Sequence, residues 1–164
     1  MKRISSYLLV LSTVLFSVLS CQRDTNMVFD QYQKTSGVWD RTDVKTFVYD
    51  VYDTVQRHNL YLNIRVNKSY PYSNLFVIFK MHQPNLDVVI DTLQFQMANP
   101  DGTLLGNGFS DVKESKLELK EGFAFPAKGS YKFTIEQVVR ELGEVEGVNS
   151  LEGVSEVGFR IEKQ

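Results

Sequence analysis

The sequence predicts an all-β protein: a single antiparallel β-sandwich, immunoglobulin-like or jelly-roll-like in topology, behind an N-terminal lipoprotein signal peptide. Three observations carry this expectation. Apolar residues recur with period two in one short run after another, the pattern of strands with one face buried. Turn-forming residues separate those runs at short intervals, as in Tyr70-Pro71, Asn99-Pro100-Asp101-Gly102, Gly106 to Gly108 and Pro126 to Gly129. The chain begins with Lys2 and Arg3, then an apolar stretch from Tyr7 to Leu19, and its one cysteine follows directly at Cys21.

The N-terminal stretch is shorter than the ~20 residues a spanning helix needs, and its positive charge lies in front. Val18-Leu19-Ser20-Cys21 resembles a lipobox. Such a junction requires a small residue before the cut, here Ser20, and a thiol at Cys21 that can be alkylated by a diacylglyceryl group. The expected organisation is residues 1–20 as signal peptide, 21–26 as lipidated cysteine and short tether, and 27–164 as the sandwich domain. With one cysteine, no intramolecular disulfide can form. Acyl chains contribute roughly 0.8 kcal/mol per buried CH₂, so two or more hold a chain on a membrane stably.

Within the domain, Val28 to Tyr32 and Val44 to Val51 are the less regular strand candidates. Leu60, Leu62, Ile64 and Val66 alternate with Tyr61, Asn63, Arg65 and Asn67, a half-buried strand. Leu75 to Met81 is apolar at both parities, which predicts a central strand covered on both faces. Near Ile90 to Leu93 the apolar parity switches, suggesting a bulge or short turn ahead of Leu93, Phe95 and Met97. Leu117 and Leu119, then Tyr131, Phe133 and Ile135, then Val157, Phe159 and Ile161 complete the alternations. Glu136 to Leu142 carries Val138, Val139 and Leu142 at helical spacing and predicts a helical turn. About seven or eight strands with short breaks make two antiparallel sheets packed face to face.

Composition narrows the function. A hydrophobic content of 43% with 23% charged residues suits a folded domain, and the net charge of −2 offers no concentrated basic face for nucleic acid. His58 and His82 each stand alone, so no metal site is expected. Asp50, Asp53, Asp87, Asp91, Asp101 and Asp111 are scattered over strand ends and turns, and no nucleophile elbow or phosphate loop occurs. The expectation is therefore no catalysis, no cofactor and no small-molecule substrate. Tyr70, Pro71 and Tyr72 gather aromatics before the most apolar strand, where they can be core, rim or an interface anchor.

The chain resembles the GldH gliding motility lipoproteins. The resemblance lies in Tyr70-Pro71-Tyr72-Ser73-Asn74-Leu75-Phe76, in Asn99-Pro100-Asp101-Gly102 with Leu105 through Glu114, in Phe125-Pro126 with Gly129, Tyr131, Phe133 and Ile135-Glu136-Gln137, and in Leu151 through Glu162. It implies a non-enzymatic, lipid-anchored envelope protein supporting gliding motility and the linked type IX secretion machinery, facing the periplasm or on the outer membrane. Its partners would be the membrane, through the lipid, and proteins of an envelope assembly. The candidate interaction surface is Tyr70, Pro71 and Tyr72 with Asn99, Asp101 and Phe109. The alternative is a surface glycan-binding module that stacks sugars on Tyr70, Tyr72 or Trp39.

Overall fold

The alternating runs become strands whose apolar parity faces inward. A computed structural model describes residues 25–84, 88–108, 110–140, 143 and 146–164, and Cys21 and Phe109 lie outside them. The described residues are all-β and contain β1 (Met27–Lys34), β2 (Val38–Asp40), β3 (Lys45–Val51), β4 (Arg57–Val66), β5 (Asn74–His82), β6 (Val89–Gln96), β7 (Lys113–Ala124), β8 (Gly129–Gln137), β9 (Ser150–Glu152) and β10 (Val154–Lys163). Two four-stranded sheets have the orders β1-β10-β4-β7 and β3-β8-β5-β6, and β2 pairs with β9 in a small third ladder. Every strand pair is antiparallel.

The core between the two large sheets is aromatic. Phe159 on β10 lies 4.5 Å, centroid to centroid, from Phe133 on β8, and Phe133 stacks on Phe79 of β5 at 6.0 Å. Phe47, Tyr131 and Phe125 extend the same cluster. Around it Leu60, Leu62, Ile64, Leu75, Val77 and Met81 are fully buried, as alternation requires. Trp39 of β2 is fully buried too, and its indole N–H donates to the Asp43 carbonyl at 2.9 Å.

Three local expectations change. No helical turn forms over the described part of 136–142: Glu136 and Gln137 end β8, and the Val138 N–H donates to the Phe76 carbonyl of β5 at 2.9 Å. The buried Gln137 holds this extended course, donating from Nε2 to the Val148 carbonyl at 3.1 Å. Leu142 lies outside the described residues. The parity switch at Ile90 is no bulge, because β6 keeps one register with β5 throughout. Instead Ile90 points outward and Asp91 inward, where it meets Lys120 of β7 at 2.8 Å across the open side of the two sheets. Finally, β5 is central in its sheet, but only its inner face is fully covered; Phe76 and Ile78 on the outer face are half-buried.

Strand direction gives the molecule two poles. At one, the Lys163 N–H donates to the Asn26 carbonyl at 2.8 Å and the Gln164 N–H to the Arg57 carbonyl at 3.0 Å, so the described chain enters beside the ends of β10 and the start of β4. The β3–β4 loop shares this pole, since Tyr52, Asp53, Gln56, His58 and Lys163 line one small cavity. At the other pole lie the connections before β5, after β6 and between β9 and β10. The ten residues of β4 run from one to the other, roughly 30 Å at strand rise.

Candidate functional site

The residues singled out by sequence come together at the pole away from the chain's entry. The turn after β4 is built by Asn67, whose carbonyl accepts from the Tyr70 N–H at 2.9 Å and whose side chain accepts from the Ser69 N–H at 2.8 Å. Tyr70 then folds inward. It is 6% exposed, and its hydroxyl donates to the Asn74 carbonyl at 2.8 Å. Burial pushes its phenol well above the usual range. Tyr72 packs edge-on against it at 6.2 Å, half-buried, and leaves Pro71 and Ser73 exposed.

The loop after β6 docks on this turn through backbone. The Ser73 carbonyl accepts from the N–H groups of Met97 and Ala98 at 2.8 and 3.2 Å. Asn99 to Gly102 form a tight turn, with the Gly102 N–H donating to the Asn99 carbonyl at 2.9 Å. Asp101 closes the turn by accepting both the N–H and the hydroxyl of Thr103, at 2.9 and 2.6 Å. Those hydrogen bonds hold its carboxyl below the usual carboxylate range. Together Tyr70, Tyr72, Asn99, Pro100, Gly102 and Leu104 line a shallow concavity of about 390 Å³. Of the six candidate surface residues, five share this pole, and Phe109 lies outside the described residues. Pro71, Asn99 and Asp101 present side chains outward, Tyr72 its edge, and Tyr70 is structural support.

A second grouping was hidden in the polar parity of β4. Asn63 is only 2% exposed; its Nδ2 donates to the Tyr32 hydroxyl at 2.8 Å, and that hydroxyl donates to Glu114 Oε1 at 2.8 Å. Arg65 pairs with Glu114 at 2.6 Å and with Glu156, and its guanidinium lies 4.7 Å from the Tyr32 ring centre. Burial, and then the hydrogen bond to Glu114, push the Tyr32 phenol up to about 12. Burial opposes ionisation of Glu114, but hydrogen bonds from Arg65 and Tyr32 outweigh it and lower its carboxyl. The signal in the sequence was Asn63 and Arg65 in alternation with Leu62 and Ile64, but their partners come from β1, β7 and β10. His58 also differs from a surface histidine: it is 4% exposed, its ring lies 5.3 Å from Phe125, and burial lowers its imidazole pKa.

Among the described residues no group of three or more His, Cys, Asp or Glu could hold a metal ion, and no helix is long and apolar enough to cross a membrane. These arrangements are structural ion pairs and loop braces rather than a nucleophile with its base. The family profile described as GldH lipoprotein matches residues 27–161. The chain belongs to the GldH lipoprotein family. It is 47% identical over 160 residues to the gliding motility lipoprotein GldH of Flavobacterium johnsoniae, covering 98% of this chain and 97% of that protein. It is 42% identical over 159 residues to the GldH homolog of Christiangramia forsetii, covering 97% and 95%. A solved chain of the infectious bursal disease virus VP2 subviral particle matches 82% of this chain and 30% of its own length, with 14% identity and a TM-score of 0.34, too low to bear on fold or function. GldH membership makes this a non-enzymatic lipoprotein of the cell envelope linked to gliding motility.

Proposed function

We propose that this GldH-family chain is cut before Cys21, acylated there, and held by residues 21–26 at a membrane as an accessory or assembly subunit of the gliding and type IX secretion machinery. Its domain, residues 27–164, is a jelly-roll sandwich: the orders β1-β10-β4-β7 and β3-β8-β5-β6 are those of two interleaved Greek keys with β2 and β9 as an insertion. Its protein-contact surface is the concavity between the Tyr70–Ser73 turn and the Asn99–Gly102 turn.

One observation carries the reading. The two segments that flank the β5–β6 hairpin are braced together at the pole opposite the described chain's entry, which directs them away from the end proposed as anchored. Confinement to a thin layer at the membrane raises the effective concentration of partner and subunit, so even a small contact suffices. The glycan alternative is weakened, because Trp39 and Tyr70, two of its three stacking platforms, are interior.

The test adds charge where no loop hydrogen bond runs through the side chain. Pro71→Arg and Ser73→Arg are expected to abolish spreading motility and lower protein export, with unchanged thermal melting and unchanged membrane-bound level. Affinity capture of the tagged parent from gently solubilised membranes is expected to recover motility or secretion components and to lose them in both variants. Normal motility in both variants would remove this surface from the function.

A further inference from the structure

The pole where the described chain enters carries two large apolar side chains that no other described residue covers. Tyr52 is 80% exposed and Val55 is 86% exposed, both on the β3–β4 loop. The loop presenting them is braced. Asp53 Oδ1 accepts from the Val55 N–H at 2.8 Å and from the Gln56 N–H at 3.4 Å, and Gln56 Nε2 donates to the Arg57 carbonyl at 3.0 Å. Gln56 also reaches the terminal Gln164 carbonyl at 3.3 Å, which ties the loop to the end of β10. There the Lys163 N–H meets the Asn26 carbonyl, so the loop and the first described residues share one end of the molecule.

Residues Cys21 and Asn26 are five peptide steps apart, a span of at most about 18 Å even when fully extended. A chain acylated at Cys21 must therefore hold this pole at the membrane surface. We infer that Tyr52 and Val55 insert into the membrane interface as a second contact beside the lipid, setting which way the domain points. The inference rests on the anchoring reading above. Tyrosine suits this position, because its ring prefers the headgroup boundary while its hydroxyl stays hydrated. Met27 and Val88 add exposed apolar surface at the same end. Arg57, Lys128 and Lys163 stand around the loop with Asp50, Asp53 and Glu121, so the pole is close to neutral and fits a zwitterionic bilayer.

The experiment uses the mature, acylated full chain in phosphatidylcholine vesicles with and without brominated acyl chains. Tyr52→Trp and Val55→Trp each add one indole at the loop, Pro71→Trp adds one at the far pole, and the parent protein, whose Trp39 is buried, gives the baseline. The expected result, taken over the parent's baseline, is that the added indole's emission is blue-shifted and mostly lost to brominated lipid in both loop variants, while the added indole of Pro71→Trp is neither shifted nor quenched. Equal quenching at both poles, or none at either, on a chain whose mass shows acylated Cys21 would overturn the inference and leave the anchoring reading standing. A blue shift without bromine quenching would assign the loop to protein contact and overturn it as well. A mature chain with unmodified Cys21 would overturn the anchoring reading and this inference with it.

Discussion

Gly153, between β9 and β10, has φ 77°, and a Cβ there would overlap the backbone of Ser69 and Tyr70. Gly37, whose carbonyl accepts from the Gly153 N–H, has φ 87° with nothing within reach of a Cβ. Gly37→Ala is expected to cost about 1 kcal/mol, the left-handed backbone penalty alone, and Gly153→Ala about 3 kcal/mol or more from added overlap, both read by denaturant melts. His58 makes a pH-dependent case. Its folded pKa is lowered by burial from 6.5, so the unfolded chain binds the proton more readily and stability falls as pH drops below about 6.5. His58→Phe is expected to flatten the melting profile between pH 7 and pH 5; an unchanged slope would show that another group sets it. The burial of His58 was not legible in Gln56-Arg57-His58-Asn59, a polar stretch that reads as a hairpin tip. Phe125, the residue after β7, packs on its ring from outside that stretch.

Strands with many alternating residues were readable because each repeats its own test: β4, β5, β8 and β10 follow their parity closely. The ladder of β2 and β9 is three residues long, too short for periodicity, and only Trp39 and Leu151 mark its buried side. β7 also hides part of its pattern, because its register with β4 shifts twice between His58 and Tyr61. Gly122, φ 57°, accommodates one shift and donates its N–H to Asn59 Oδ1 at 2.8 Å. What sequence could not show at this scale is pairing. Arg65 reads as a solvent-facing residue of β4, yet it joins β7 and β10 through Glu114 and Glu156. Being partly exposed, each pair contributes little, so Arg65→Met is expected to cost about 1–2 kcal/mol at pH 7, including two carboxylates left facing each other. Glu114's lowered pKa gives a contribution that is present above its usual 4.5 and lost as pH falls through the folded value. The deficit of Arg65→Met should therefore shrink toward pH 3, and a deficit independent of pH would mean that packing, not charge, is lost.

At the scale of the whole molecule, the antiparallel strands of the two large sheets run between two poles, one with the loop of Tyr52 and Val55 and the other with the Tyr70–Ser73 and Asn99–Gly102 turns. The candidate contact surface was legible as two turns, because Pro, Asn, Asp and Gly mark turns locally. Their grouping was an expectation from sequence, but its physical cause was not legible: the Ser73 carbonyl meets Met97 and Ala98 only once β5 and β6 have paired. The place where the described chain enters was equally hidden, because it depends on β10 returning to β1 in their antiparallel register.

On the anchoring proposed above, the length of residues 21–26 becomes a functional variable. With Cys21 acylated as proposed, at most about 18 Å separates the lipid from Asn26, and the Tyr70–Ser73 turn lies about 30 Å along β4 from the loop of Tyr52. Inserting a ten-residue Gly/Ser segment after Gln22 adds reach of roughly 5–6 Å times the square root of its length without touching the domain. Such a chain should melt like the parent and remain membrane-bound. With the near pole no longer held against the bilayer by the short tether, Tyr52 and Val55 would engage it less often and the far pole would sample more heights and angles, diluting the effective concentration of the contact surface at any one of them. Reduced spreading motility at normal protein level is the expected outcome. Restoring the parental tether length should restore motility, whereas full motility with the long tether would mean that partner capture does not depend on a fixed height above the membrane.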